Sequence, residues 1–355
     1  MNVTSLRFGA IMVGVALLGA CQPGAKSNQQ LGYRGTGMDQ IQLKSAKLVE
    51  PVPAPPYDPP APGGKPAREA YQNVQVLGDV SEDQFSYTMA AITQWIAPEK
   101  GCNYCHNPAN MASDELYTKV VARRMLQMTQ TINSTWSSHV KQTGVTCYTC
   151  HRGQAVPAVA WTLPPTGNPN SIVGNLHGQN APTPASAYAS LPNTAVAHYL
   201  IDKDAPNIRV AANGTHPTPA DKLTVMETEN TYGLMMHTSQ ALGVNCTYCH
   251  NTASFRAWNI STPARAQAWY GIRMVREING DYIGPLAKVF PANRLGPMGD
   301  SLKVNCATCH RGQNKPLGGV SMLKDYPALR SSAPMMPAVA APAPAPVGAG
   351  VTAAR

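Results

Sequence analysis

Apolar side chains recur at helical spacing in four stretches of the chain. Phe85, Met89, Ile92 and Ile96 form the first stripe, and Tyr117, Val121, Met125, Met128 and Ile132 form the second, with Ser113 or Asp114 placed to cap its start. Leu234, Met235, Met236 and Leu242 mark a third helix. Tyr270, Met274 and Ile278 mark a fourth, opened by Thr262-Pro263 with proline in its favoured first-turn position. Each stripe precedes a pair of cysteines, and no strand–helix–strand alternation appears. The pattern predicts a mainly α chain with extensive irregular structure, built from helix–turn units.

The remaining segments are weakly patterned. Met1 to Ala20 combine Arg7, an apolar run from Phe8 to Leu18 and two small residues before Cys21, which is the form of an export signal. The run is shorter than the roughly 20 apolar residues of a membrane-spanning helix. Leu18-Gly19-Ala20-Cys21 resembles a bacterial lipobox, in which the cysteine is acylated and becomes the first residue of the mature chain. Each buried CH₂ of an acyl chain contributes about 0.8 kcal/mol, so Cys21 would hold a soluble body at a membrane surface. Residues 51 to 66 are Pro-rich and expected to be extended. Residues 155 to 222 read as a long surface connection with a docking role, and the Ala/Pro-rich stretch from about 331 to 355 as a disordered tail. The expected organisation is a signal peptide (1–20), an anchored N-terminal segment (21–79), a first half (80–155), a connection (156–224), a second half (225–315) and a C-terminal segment (316–355).

Composition sharpens this outline. Charged residues are 13%, against about 25% in a typical domain, and the 32 prolines are close to twice the usual share. Only four Phe are present, so something else must fill the interior. The net charge of +9 raises nucleic acid as a partner, but Lys and Arg are scattered and no nucleic-acid-binding motif occurs, so none is expected.

The cysteines carry the chemistry. Eight of the nine fall into four C-x-x-C-H signatures: Cys102 and Cys105 with His106, Cys147 and Cys150 with His151, Cys246 and Cys249 with His250, and Cys306 and Cys309 with His310. This is the c-type haem attachment pattern. Two thiols meet the two vinyl groups on one haem edge, and the adjacent imidazole reaches under the iron. A zinc site would not require His after every pair, and a thioredoxin-like pair would need a βαβ unit. The first and third motifs continue with Asn107 and Asn251, the second and fourth with Arg152-Gly153-Gln154 and Arg311-Gly312-Gln313. Arg124-Met125 and Ile132-Asn133 are answered by Arg273-Met274 and Ile278-Asn279, so the chain reads as two pseudo-symmetric dihaem halves of helix–turn–C-x-x-C-H units. Arg152 and Arg311 fit either haem propionates or solvent.

These features together resemble the tetrahaem cytochrome c subunit of purple-bacterial photosynthetic reaction centres, over about residues 21 to 320. The resemblance implies three His/Met irons and one with two histidines. On matching positions it implies Met89 with His106, Met125 with His151, Met235 with His250, and His310 with His139 from the other half. Repeat symmetry alone puts Met274 in the place of Met125, which would give four His/Met sites. His139 is preferred because it lies eight residues before Cys147, where the family places its distal histidine. Met236 competes with Met235 and Met128 with Met125, while His177, His198, His216 and His237 are left as ordinary histidines.

The expected function is therefore that of a periplasmic relay tethered to the inner, photosynthetic membrane through Cys21. It would carry four covalent haems, take electrons from a soluble cytochrome c or high-potential iron–sulfur protein, and re-reduce the photo-oxidised bacteriochlorophyll pair. With every iron closed by protein ligands, no enzymatic activity is expected. The alternatives are a multihaem reductase or peroxidase, which needs an exchangeable iron position, and a periplasmic carrier unrelated to light. Glu82, Asp83 and Glu99 near the first motif form either an acidic patch for a basic donor or scattered solvated carboxylates.

Overall fold

The structure, a computed structural model, describes residues 24–32, 36–44, 51–165, 188–201 and 224–330, with the single positions 179, 208, 210 and 218. Cys21, His177, His216 and the tail from 331 lie outside the described residues. The chain forms two compact units, one within Met1–Val49 and Val244–Thr262, the other within Glu50–Gly243 and Pro263–Arg355. It is largely helical with much irregular structure. No described helix is long and apolar enough to cross a membrane.

The smaller unit holds the two described strands, β1 (Lys26–Gln30) and β2 (Asp39–Leu43), paired antiparallel with Asn28 opposite Ile41. The N-terminal segment, expected only as a tether, thus contains a hairpin. It is clamped to the third cysteine motif. Asn245 accepts from the Ile41 amide at 2.9 Å and donates to the Asp39 carbonyl at 2.9 Å, which also receives the Thr247 hydroxyl at 2.7 Å. Gly37 sits so close to Thr252 that a Cβ would collide with it.

The larger unit contains α1 (Ala67–Ala70), α2 (Glu82–Ile96), α3 (Tyr117–Thr135), α4 (Ser137–Val140), α5 (Cys147–His151), α6 (Ala195–Leu200), α7 (Val225–Leu242), α8 (Pro263–Glu277) and α9 (Cys306–His310). Ser81 caps α2 by accepting from the Gln84 amide, with Glu82 and Asp83 in the dipole-favoured first turn. Thr224 caps α7 in the same way. The start of α3 departs from expectation: Leu116 precedes the helix without a side-chain cap. Ser113 instead accepts from the Glu115 amide. Asp114 bonds Asn73 at 2.9 Å and pairs with Arg123 at 2.9 Å.

Burial corrects a further expectation and adds a finding that was not anticipated. Within the presumed surface connection, Val196, Tyr199 and Leu200 of α6 are fully buried against Leu234 and Ile272. Leu317, Met322, Leu323, Tyr326, Ala328 and Leu329 of the C-terminal segment also join the core: Tyr326 stacks on Tyr87 at 4.9 Å and meets Trp95 edge-on at 4.6 Å, and Leu329 is fully buried. With few Phe available, these aromatics and short apolar turns close the α2 side of the molecule.

Two asparagines tie the long helices to the segments that lead into the cysteine motifs. Asn133 donates to the Val145 and Leu329 carbonyls and accepts from the Val145 amide. Asn279, in a π-helical turn at Ile278–Ile283, donates to the Leu200 and Val304 carbonyls and accepts from the Val304 amide, each at 2.9 Å. The shared Ile-Asn pairs in the sequence thus do the same work. Because Asn279 is only 1% exposed, Asn279→Ala leaves buried partners unsatisfied. Its expected cost is about 3 kcal/mol, checked by the shift of the denaturant midpoint against the parent chain.

Candidate functional site

The four cysteine motifs take two local forms. Cys147–His151 and Cys306–His310 are single helical turns, whereas Gly101–Tyr104 and Cys246–Tyr248 are 3-10 turns. Asn305 and Thr308 form a full capping box around the fourth motif, and Thr149 accepts from the Thr146 amide at the second. The continuations have distinct work. Arg152 and Arg311 adopt left-handed φ of 51° and 48°, followed by Gly153 and Gly312 at 82° and 78°. That turn aims the Gly153 amide at the Trp95 carbonyl (2.8 Å) and the Gly312 amide at the Ala241 carbonyl (2.7 Å), locking α5 to the end of α2 and α9 to the end of α7. Arg152 also donates to the Thr149 and Cys309 carbonyls. After the other two motifs, Asn107 and Asn251 accept from the Ala109 and Ala253 amides, and the Thr118 and Thr262 hydroxyls clamp the Tyr104 and Tyr248 carbonyls.

Both continuations achieve one result. His151 Nδ1 lies 2.9 Å from the Gln154 carbonyl and His310 Nδ1 2.8 Å from that of Gln313. His106 Nδ1 lies 3.0 Å from the Met111 carbonyl and His250 Nδ1 2.7 Å from that of Phe255. A carbonyl only accepts, so Nδ1 carries the proton and the lone pair belongs to Nε2, the tautomer in which histidine ligates a metal. Among the described residues one further histidine shares this arrangement. His139 donates from Nδ1 to the Gln267 carbonyl at 2.8 Å, whereas His198 faces Glu227 and His237 is buried with no partner on Nε2. Burial also lowers the pKa of His139, His151 and His310, the last to about 4, so these rings are neutral at pH 7.

The rings of His139 and His310 lie with their centres 6.0 Å apart and their planes inclined by 67°. Two imidazoles bound to opposite sides of one iron require about this spacing: a metal–nitrogen bond of about 2 Å plus about an ångström to the ring centre on each side. Met274, the repeat's alternative, is only 7% exposed and packed in the core with Ile132, Val196 and Tyr199. Met89, Met125 and Met235 are instead half-buried.

The helix faces show what the protein leaves for a prosthetic group. On α3 the side chains buried against protein include Lys119, Arg124, Gln127 and Gln130, while the apolar stripe of Tyr117, Val121, Met125 and Met128 is only half-buried. On α2 the buried residues are Tyr87, Thr88, Ala91 and Trp95, and the expected stripe of Phe85, Met89, Ile92 and Ile96 is again half-buried. On α3, apolar side chains left half-buried beside buried polar ones fit a large apolar ring lying on that stripe. The eight described cysteines are unpaired by disulfide. Burial raises Cys147 to about 12 and Cys306 to about 11. The Cys309 thiol lies within hydrogen-bonding reach of the Cys150 thiol, and that contact together with burial raises its pKa well above the ordinary range. Among the described residues no three His, Cys, Asp or Glu side chains converge on a metal-ion site.

Residues 21–330 match the family described as photosynthetic reaction centre cytochrome C subunit. The chain belongs to this family. It is 48% identical to the photosynthetic reaction center cytochrome c subunit of Rubrivivax gelatinosus, over 92% of this chain and 90% of that one. It is 46% identical to the subunit of Thermochromatium tepidum (94% and 82% covered) and 39% identical to that of Roseobacter denitrificans (93% and 95%). Membership makes the chain a c-type cytochrome with covalent haem, acting in electron transfer to the photosynthetic reaction centre.

The fourth motif turn depends on Thr308, which is fully buried and also bonds the Val159 carbonyl. Thr308→Ala is expected to lower stability by about 1–2 kcal/mol, measured as a lower thermal midpoint of the holo protein with its thioether count unchanged.

Proposed function

We propose that this chain is a lipid-anchored electron relay of four haems on the periplasmic face of the photosynthetic membrane. It accepts electrons from a soluble cytochrome c or high-potential iron–sulfur protein and returns them to the photo-oxidised bacteriochlorophyll pair. The observation that carries this reading is the shared fixing of five imidazoles, four beside cysteine pairs and the fifth facing one of them, each with Nδ1 on a backbone carbonyl. Haem iron, when bound, supplies one-electron chemistry. The chain supplies both axial ligands of each site and a dry, apolar setting.

The proposed axial pairs are Met89 with His106, Met125 with His151, Met235 with His250, and His139 with His310. Thioether sulfur raises a haem potential relative to a second imidazole, so the fourth site would sit below the His/Met sites. Two pseudo-symmetric dihaem halves are supported by matching devices: the Gly153 and Gly312 amides on helix ends, and the Asn133 and Asn279 bridges. The Cys150 and Cys309 thiols in mutual reach support close neighbourhood of the second and fourth haem edges. At the third site, β1 begins five residues after Cys21 and its hairpin is clamped to Asn245 beside the motif.

Sealed irons bind no substrate, so the chain transforms none, and a reductase or peroxidase finds no support in the relatives. The test is flash photolysis of membranes with and without this chain. With it, the oxidised pair is re-reduced by bound haem within a single encounter-free phase. Unchanged bound-haem re-reduction in membranes lacking the chain would overturn the proposal.

A further inference from the structure

We infer that Gly271, with the backbone carbonyl of Gln267, is the positioning device that presents His139 to the fourth haem iron and so sets that site apart from the His/Met sites. The inference rests on the pairing of His139 with His310 proposed above.

Gly271 lies in the interior of α8, six residues before its end, where glycine is disfavoured relative to any residue with a side chain except proline. Its presence there needs a cause, and the structure supplies one. A Cβ built at this position would lie 2.6 Å from Cε1 of His139, 2.9 Å from Nδ1 and 3.2 Å from Nε2. All three atoms belong to one ring. The imidazole is therefore pressed against the helix backbone at a spot where only a hydrogen fits.

That close approach explains the hydrogen bond as well. Gln267 precedes Gly271 by four residues, so its carbonyl points along the helix toward position 271. The carbonyl receives His139 Nδ1 at 2.8 Å from the side, an access that a side chain at 271 would cover. Fixing Nδ1 in this way leaves Nε2 as the nitrogen that can hold a metal, and the His310 ring centre is 6.0 Å away. Three residues further on, Met274 occupies the place where the repeat would supply sulfur, and its side chain is committed to the core. The missing side chain at 271 and the buried one at 274 together replace a methionine from the helix by a histidine from α4.

The experiment uses the full-length holo protein in its membrane complex, comparing the parent with Gly271→Ala and with His139→Ala. Readouts are EPR spectra, potentiometric titration of each haem and binding of carbon monoxide. For Gly271→Ala the expected result is confined to one haem. Its bis-histidine EPR signal shifts or is lost, its potential rises as the bond to oxidised iron weakens, and carbon monoxide binds to as much as one haem equivalent where the parent binds none. The His/Met haems keep their spectra and potentials.

If His139→Ala leaves every haem low-spin and closed to carbon monoxide, the axial assignment itself fails and the inference with it. If His139→Ala opens one haem while Gly271→Ala matches the parent in all three readouts, the assignment stands and the positioning role is overturned. Changes spread equally over all haems in Gly271→Ala would also overturn it, since they make Gly271 a general packing residue. Should Gly271→Ala fail to assemble, adding His139→Gly removes the crowding ring. Recovery of a protein with one open haem supports the inference, and continued failure to assemble contradicts it.

Discussion

An imidazole holds a metal through the nitrogen that carries no proton, with its ring held still, and five of the described histidines have tautomer and ring fixed by an Nδ1 hydrogen bond to a backbone carbonyl. Much of the local structure follows from that need. The left-handed Arg-Gly turn after His151 and His310, and the Asx turns after His106 and His250, are different backbone solutions to the same placement of a carbonyl near Nδ1. The carbonyl of Gln267 in the middle of a helix is the third solution, reached only because residue 271 has no side chain.

The second consequence concerns the core. A chain with four Phe still folds around a helix, α3, that buries Lys119, Arg124, Gln127 and Gln130 while Tyr117, Val121, Met125 and Met128 stay half-open. Such a helix would be mispatterned as part of an ordinary bundle. It is well patterned if a flat apolar ring, bonded to the neighbouring turn through two thioethers, lies on the stripe. The prosthetic groups then act as core residues, and the stability of the protein becomes inseparable from their attachment.

The cysteine motifs and the helix before each of them were legible in the residues because each is local in sequence. Helix stripes were found without their covering: periodicity reveals an apolar face without saying whether protein or cofactor lies on it. The start of α3 was misplaced because Ser113 and Asp114 bond elsewhere, and a good capping residue has several possible partners. The hairpin clamped to Asn245, the buried α6 and the core turns near Tyr326 depend on contacts between residues far apart in the chain. Gly271 carried a readable signal, a glycine inside an otherwise regular helix, but its partner 132 residues earlier could not be named without the fold.

At the centre of the account is a molecule in which every iron is sealed by two protein ligands. A redox titration of the purified holo protein, followed by optical and EPR spectra, tests that claim most directly. The account predicts four one-electron steps, all low-spin, three with His/Met character and one, at lower potential, with two imidazoles. Fewer than four steps, or a high-spin iron in any of them, would contradict it.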